Sequence, residues 1–260
     1  VKPDIGALRA FTQLRVQSVQ IGTLVDKAAF VHNIKKVRFH NNKVISMTEE
    51  KVYTAIGLMS GTSLDGIDAA LIRTNGIDYA QSLGFVSVPY EGALRAQLRD
   101  CLGQCEDKYG HIAQAEQAMT RAHVDVVKRL LAETGHVPGD IDMIGFHGQT
   151  VFHDPDNHFT WQIGDGALLA RETGIAVVND FRRADVASGG EGAPFPPHYH
   201  RSRARGLSRP VAVLNIGGVG NVTWLGGAED EILAFDTGPG NALLDDWVSR
   251  HFDCPYDEDG

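Results

Sequence analysis

The stretch Gly57-Leu-Met-Ser-Gly-Thr-Ser-Leu-Asp-Gly-Ile-Asp68 joins two apolar runs through a turn rich in glycine and hydroxyl side chains. The pattern predicts strands at Tyr53–Met59 and Ile67–Arg73, with Ser60–Gly66 as the turn between them, because Gly, Ser and Asp favour tight turns. The segment from Ser60 to Asp68 carries three hydroxyls and two carboxylates in nine residues. We therefore expect a β-hairpin with an unusually polar turn.

The chemistry of this turn suits a phosphate group. Glycines let backbone amides approach phosphate oxygens, hydroxyls donate to them, and Asp65 can reach Mg²⁺ directly or through water. The turn is not a Walker A loop, because Gly61 and Gly66 have the required separation but Ile67 stands where lysine is needed. An ordinary hairpin turn remains the alternative interpretation.

A second hairpin follows about 160 residues later. Val211–Ile216 is predicted as a strand, Gly217–Asn221 as a Gly-rich turn and Val222–Leu225 as the returning strand. Two such hairpins indicate two similar lobes that face a shared cleft. Because the chain stops at Gly260, we expect the second lobe to be incomplete.

Helices and strands alternate around the two hairpins, which is typical of an α/β fold. The predicted strands are Leu83–Val88, Ile141–Phe146, Thr160–Ile163, Ile175–Val178 and Ile232–Phe235, and the predicted helices are Ala113–Glu133, Ala167–Thr173 and Ala242–His251. The third strand of the second lobe thus ends just before Asp236.

Composition excludes several classes of protein. Of 260 residues, 43% are apolar and 22% charged, the balance of a soluble globular protein. The formal charge of −9 works against non-specific binding to nucleic acid. No apolar run approaches the roughly 18 residues that cross a bilayer, and the start lacks the order of a secretory signal, so we expect a cytoplasmic protein. Three cysteines do not form an even disulfide framework.

Residues 1–46 differ from the rest in charge. They contain eight basic and two acidic residues. An organelle-targeting leader, a nucleic-acid arm and an extension outside the functional fold are the candidate interpretations, and weak amphipathic character favours the third. The expected organisation is an atypical extension at 1–46, a first lobe at 47–209 and the start of a second lobe at 210–260.

Three further motifs fail the tests of the sites that they suggest. The run Gly217-Gly-Val-Gly-Asn221 is not a Rossmann fingerprint, because Thr223 occupies the third glycine position and a strand follows. Asp236-Thr-Gly238 is typical of aspartic proteases, but the chain has no second such triplet. A third candidate is a metal site formed by His147, His153, Asp154 and His158. The spacing of these residues matches no standard metal site.

A charged loop follows the predicted strand Ile175–Val178. Asn179-Asp-Phe-Arg-Arg-Ala-Asp185 places carboxylates and guanidiniums directly after the strand, and Gly189-Gly-Glu-Gly-Ala-Pro194 comes next. Loops at the carboxyl ends of strands are where α/β proteins bind ligands. A surface cluster of salt bridges is the alternative.

Six motifs in this order resemble the anhydro-N-acetylmuramic acid kinase family from about Tyr53 to Gly260. They are Gly57–Asp68, Gly145-Phe-His-Gly-Gln-Thr150, Gln162-Ile-Gly164, Asp180-Phe-Arg-Arg-Ala-Asp185, Asn215-Ile-Gly-Gly218 with Asn221, and Phe235-Asp-Thr-Gly-Pro-Gly-Asn241. The resemblance implies ribonuclease-H-like lobes of the actin, sugar kinase and Hsp70 ATPase-like superfamily, with a duplicated hairpin-containing unit and a truncated second lobe.

The resemblance also implies an activity. ATP, Mg²⁺ and water would convert 1,6-anhydro-N-acetylmuramic acid into N-acetylmuramic acid 6-phosphate during cell-wall recycling. The partners implied are this amino sugar and ATP, with neither nucleic acid nor a membrane, and a homodimer is a further expectation.

The family's site residues carry over to matching positions. Asp236 is expected to be the general base, and Asp180, His147, Gln149 and Asn241 are expected to bind the sugar. The residues expected to hold ATP are Gly61, Thr62, Ser63, Leu64, Asp65, Gly66, Ile67 and Asp68. Asp180 is the second candidate for the base, and Arg182 and Arg183 are expected to hold it ionised.

The sequence also departs from the family pattern. Glu191 stands where the family usually has Gln, Phe195 where it has Leu, and Gly220 where a larger residue is common. The family continues past Gly260 with segments that complete the adenosine pocket, so the nucleotide site is expected to be incomplete. A sugar kinase in truncated form and a non-catalytic sugar- or nucleotide-binding remnant are the two hypotheses that remain.

Overall fold

The computed structural model describes residues 36–38, 44–46, 51–228, 231–252 and 254. The described residues divide into two compact units, the first ending at Arg203 and the second beginning at Ala204. Most of the expected extension at 1–46 lies outside the described residues. Its described part is a short antiparallel pair, β1 (Lys36–Arg38) with β2 (Val44–Ser46).

The first unit is a mixed α/β structure, which confirms the predicted fold class at that level. Its further strands are β3 (Tyr53–Met59), β4 (Gly66–Thr74), β5 (Ala80–Pro89), β6 (Met143–Phe146), β7 (Gln149–Asp154), β8 (Phe159–Ile163) and β9 (Val177–Asn179). Its α-helices are α1 (Gly92–Cys101), α2 (His111–Thr134), α3 (Gly166–Thr173), α4 (Arg183–Ala187) and α5 (Pro196–Arg203).

The central sheet has five strands in the order β5-β4-β3-β6-β9. Strands β3, β4 and β5 form an antiparallel meander, whereas β6 and β9 run parallel to β3. The hairpin β3–β4 confirms the prediction around the polar turn. Because β6 and β9 are parallel neighbours, the residues that follow them emerge at the same edge of the sheet.

The core lies between this sheet and the helices. Helix α2 buries one apolar face, which includes Met119, Val127 and Leu130, and contacts β4 and β5. It ends at Gly135, as predicted, since this residue has a left-handed φ of 71°. Strand β6 is buried along its whole length, as expected for a central strand covered on both faces.

Six strands and α-helices of the described residues escaped prediction: β1, β2, β7, α1, α4 and α5. Strand β7 pairs with β8 as an antiparallel hairpin outside the main sheet. A short 3₁₀ turn at Pro155–Asn157 joins them, and the Asp154 side chain accepts a hydrogen bond from the Asn157 amide. The polar members of Gln149–Asp154 favoured a loop in the sequence, but cross-strand pairing holds them extended.

The second unit contains the antiparallel strands β10 (Val211–Ile216), β11 (Val219–Leu225) and β12 (Ile232–Pro239), followed by α6 (Ala242–His251). Two predicted boundaries were wrong. The expected turn Gly217–Asn221 is shorter, because β11 already begins at Val219. The expected strand Ile232–Phe235 continues to Pro239, so Asp236 lies within it and faces Asn221 across the ladder.

Among the helices that the structure describes, none combines the length and the apolar character that spanning a bilayer requires.

Candidate functional site

An open cleft of about 370 Å³ lies in the first unit. Phe146 and Asn179, the last residues of β6 and β9, both line it, so the cleft sits at the carboxyl edge of the parallel strands. This edge is where α/β sheets bind ligands. The other aromatic, polar and charged side chains of its lining belong to Phe159, Trp161, His147, Thr160, Gln162, Glu116, Asp180, Arg183 and Cys105.

Asp180 supplies a carboxylate to this cleft. It follows β9 directly and has a left-handed φ of 60°, a conformation that is uncommon outside glycine and recurs at functional sites. Arg183 donates to both carboxylate oxygens through Nε, at 3.0 and 3.2 Å, and to Oδ2 through Nη2. Both side chains are exposed, so the pair contributes little to stability. It orients the Asp180 carboxylate in the lining of the cleft.

Arg182 turns the other way. Its Nε donates to Nε2 of His147 at 2.9 Å, its Nη1 donates to the carbonyl of Gly192, and its guanidinium lies 4.7 Å from the centre of the Phe195 ring. The expectation that Arg182 also holds Asp180 was therefore wrong. Arg182 and Arg183 thus bind different partners although they are neighbours in sequence. Helix α4 begins at Arg183, and Arg182 is its N-cap residue.

His147 forms part of the cleft wall and is only 4% exposed. Its Nδ1 lies 2.8 Å from the carbonyl of Gly148, and its Nε2 accepts from Arg182. Burial, and then the nearby Arg182 charge, lower the pKa of His147 from 6.5 to about 4. The ring is therefore neutral at physiological pH, with the proton on Nδ1 and both nitrogens engaged.

The polar turn after β3 is closed by a hydrogen bond from the Leu64 amide to the carbonyl of Gly61, at 3.1 Å. Thr62, Ser63 and Asp65 are exposed. The side chains of Leu64 and Ile67 are buried in the core, with 1% and 2% exposure. These two residues, which the resemblance assigned to ATP, can therefore meet a nucleotide only through their backbone.

The same turn is tied to the segment that enters the cleft. The Ser60 hydroxyl donates to the carbonyl of Gly148 at 3.1 Å, and Nε2 of Gln149 donates to the carbonyl of Gly61 at 3.2 Å. Gln149 is fully buried, at 0% exposure. Its position makes it a support of the turn, whereas the resemblance had assigned it to the sugar.

Two of the expected site residues lie in the second unit. Asp236 is exposed within β12. Asn241 precedes α6, and its backbone amide donates to the carbonyl of Gly217 at 2.7 Å. Gly240 packs against the same carbonyl so closely that a Cβ there would lie 2.2 Å from it. The Gly-rich turn of the second hairpin thus packs on the start of α6.

Sequence reasoning missed Glu116 and Thr120 on α2. The Glu116 carboxylate accepts from the Gly164 amide at 2.7 Å, and the Thr120 hydroxyl accepts from the Asp165 amide at 3.1 Å. These bonds fix the loop after β8, which walls the cleft. The signal was present, because polar residues four positions apart on a largely buried helix face require partners.

The described residues contain no group of three or more His, Cys, Asp and Glu side chains that could hold a metal ion. Asp65 is the acid of the turn; its side chain is exposed, and its Oδ1 lies 3.8 Å from Nη2 of Arg95. A single carboxylate on a turn rich in glycine and hydroxyl groups has the chemistry of an Mg²⁺ ligand, since this ion is usually bound by one or two carboxylates together with substrate phosphates and water.

This geometry defines a mixed α/β protein with a ligand cleft at the carboxyl edge of its sheet, next to a glycine-containing hairpin turn. The chain belongs to the anhydro-N-acetylmuramic acid kinase family, whose model matches residues 53–260. The resemblance found in the sequence motifs is thereby confirmed.

Named relatives agree with this assignment. The chain is 53% identical over 211 residues to anhydro-N-acetylmuramic acid kinase of Rhizorhabdus wittichii, covering 79% of this chain and 58% of the relative. It is 51% identical over 207 residues to that of Rhodospirillum rubrum, covering 79% of this chain and 54% of the relative. The chain thus spans little more than half the length of these relatives.

A solved structure, the reductive activator for a corrinoid, iron-sulfur protein, covers 75% of this chain and 33% of its own at 12% identity and a TM-score of 0.39. This likeness is too low to carry an argument about fold or function.

Proposed function

We propose that the whole protein is an ATP-dependent kinase that opens the anhydro ring of 1,6-anhydro-N-acetylmuramic acid and phosphorylates O6. Its product would be N-acetylmuramic acid 6-phosphate, an intermediate of cell-wall recycling. One observation supports this most directly: the cleft that carries Asp180 is joined through Gly148 to the turn that begins at Ser60. A sugar in the cleft and a phosphate at the turn would therefore lie on one rigid segment.

The cleft suits a sugar ring. Phe159 and Trp161 offer apolar faces, and Gln162 adds a polar side chain from the same strand, β8. Such a mixture of aromatic surface and a few polar groups is typical of small-molecule sites. The sugar would pack against the aromatic side chains and place its anomeric carbon near Asp180.

The turn suits the phosphates of ATP. A Cβ at Gly61 would meet only atoms of Ser63 within 4 Å, at 3.4 Å or more, so open space lies beside the backbone. The exposed hydroxyls of Thr62 and Ser63 would donate to phosphate oxygens, and Asp65 would hold Mg²⁺. When bound, ATP supplies the γ-phosphoryl group and Mg²⁺ offsets its charge.

The reaction needs a general base for water. Two carboxylates line the described cleft, and that of Glu116 already accepts from the Gly164 amide, which leaves Asp180, oriented by Arg183, as the candidate. We propose that Asp180 takes a proton from water as the hydroxyl bonds to the anomeric carbon. The bond between that carbon and O6 then breaks, and O6 attacks the γ-phosphorus as ADP leaves. Asp236, the base predicted by the resemblance, is the competing candidate.

Calorimetry on the 260-residue chain tests the sugar-binding half of this proposal. We expect 1,6-anhydro-N-acetylmuramic acid to bind and Trp161→Ala to weaken binding, because the aromatic face is lost. The exposed Tyr109→Ala is the matched control, since Tyr109 is not among the cleft residues. Absence of sugar binding to the unsubstituted chain would refute the proposal.

The phosphotransfer half needs a protein extended past Gly260 to the length of its relatives. Addition of both the sugar and MgATP should yield ADP and the 6-phosphate in equal amounts. Binding of the sugar without ATP consumption in that extended protein would instead favour the non-catalytic remnant.

A further inference from the structure

Arg182 is a partly buried cation, and its hydrogen-bond acceptors among the described residues are uncharged. A guanidinium has five N–H donors. One donates to the neutral ring of His147 and one to the carbonyl of Gly192. Within the described residues, no carboxylate forms an ion pair with Arg182.

The neighbouring acids are accounted for by other groups. Asp180 pairs with Arg183, and Asp185 accepts from the amide of Gly192 at 2.7 Å. Glu191 is exposed, on the loop between them. The Phe195 ring, 4.7 Å away, offers the guanidinium only a cation–π contact.

This environment disfavours the charge. Burial lowers the pKa of Arg182 from 12.5 to about 10, although the group stays protonated at neutral pH. A charge withdrawn from water is usually paired, because a neutral hydrogen-bond partner offsets only part of its lost hydration. The described residues therefore supply no counter-ion to the Arg182 guanidinium.

The site of Arg182 explains where that counter-ion can come from. Its Nε is 2.9 Å from the ring of His147, and His147 lines the cleft. The guanidinium therefore lies directly against one side chain of the cleft wall. Its remaining donors lie in a planar fork, the geometry that binds a carboxylate or phosphate through two parallel hydrogen bonds.

We propose that Arg182 binds an oxyanion of the ligand held in the cleft. This rests on the proposed function for the identity of the ligand. Under that function, two groups have the required chemistry: the lactyl carboxylate of 1,6-anhydro-N-acetylmuramic acid, and a phosphoryl group. Arg182 is then a specificity residue that selects an acidic sugar or a phosphorylated ligand over a neutral one.

The test measures binding to the full chain by calorimetry, with three probes. They are 1,6-anhydro-N-acetylmuramic acid, the neutral 1,6-anhydro-N-acetylglucosamine and inorganic phosphate. Arg182→Gln should weaken binding of at least one anionic probe about 10- to 100-fold and leave the neutral sugar unchanged. Loss for the acidic sugar alone assigns the carboxylate, and loss for phosphate assigns the phosphoryl group.

Two comparisons separate recognition from support of the fold. Arg182→Lys keeps the charge but loses the fork, so it should recover only part of the affinity for the anion. Arg171→Gln removes an exposed cation elsewhere and should change none of the three affinities. Arg171→Gln changes the net charge of the protein by the same amount as Arg182→Gln does.

Two results would overturn the proposal. One is an equal loss for the acidic and neutral sugars in Arg182→Gln, which would show that Arg182 only holds His147 and the Gly192 loop. The other is an unchanged affinity for both anionic probes, or no binding of either to the unsubstituted chain. If neither sugar binds but phosphate does so through Arg182, the proposed sugar kinase fails and the oxyanion site stands.

Discussion

Nε of Arg182 donates to Nε2 of His147 at 2.9 Å, which leaves Nδ1 of the same ring to donate to the carbonyl of Gly148 at 2.8 Å. The bond therefore selects one neutral tautomer. A second proton on the ring would face the guanidinium and lose the hydrogen bond. His147 is thus held as a rigid part of the cleft wall, next to the carbonyl that also accepts from Ser60.

We predict that stability falls as pH drops from about 6.5 towards 4. The pKa of His147 is lowered to about 4 and so is that of the fully buried His123, in both cases chiefly by burial. Between these values the unfolded chain binds protons that the folded chain does not, so acid favours unfolding. Over this pH range, each histidine lowers the free energy of unfolding by at most roughly 3 kcal/mol.

Urea unfolding of the chain at pH 7.5, 5.5 and 4.5 measures this effect. His123→Gln should reduce the slope of the unfolding free energy against pH, because Gln does not titrate. The exposed His251→Gln is the control for general loss of a histidine. A slope that is the same in all three proteins would contradict the prediction.

Gln149→Leu should destabilise the first unit by roughly 1–3 kcal/mol, since it leaves the carbonyls of Gly61 and Thr150 without their donor. Denaturant unfolding measures the loss. Gln117→Leu, on the exposed face of α2, should cost far less. An equal effect of both substitutions would show that the bond to Gly61 does not support the turn.

The sequence predicted the hairpin β3–β4 because turn chemistry and strand alternation are local properties. It did not predict that the two neighbouring arginines have different partners. Arg183 donates to Asp180, three residues away, whereas Arg182 donates to His147, thirty-five residues away. That choice depends on β6 and β9 being neighbours in the sheet, which is a long-range property. The motifs therefore named these residues as candidates, whereas their hydrogen-bond partners depend on the fold.

The second unit illustrates the same limit at a boundary. Asp236 was expected to end a strand because glycines follow it. Pairing of Gly220 with Gly238 and of Val219 with Pro239 instead extends β12 past it. Local turn signals were overridden by the ladder, since a partner strand satisfies the backbone that a turn would otherwise expose.

Gly148→Ala should cost more than about 2 kcal/mol. Gly148 has a left-handed φ of 72°, and a Cβ there would lie 2.2 Å from the carbonyl oxygen of Ile163. Gly139→Ala is the matched control, because no atom lies within 4 Å of its Cβ position. Thermal unfolding of both variants measures the difference, and similar midpoints would show that the backbone at Gly148 relaxes freely.

The base is assigned by two isosteric substitutions in a protein extended past Gly260. Asp180→Asn keeps the shape of the side chain but removes its basicity, so kcat should fall by roughly 10²–10⁴ with little change in KM. Asp236→Asn should retain far more of the turnover, because the proposed base, Asp180, is a carboxylate that lines the cleft of the first unit. Sugar binding to each variant, measured by calorimetry, checks that the site is intact. If Asp236→Asn loses turnover while Asp180→Asn mainly raises KM, the roles are reversed: Asp236 is the base and Asp180 binds the sugar.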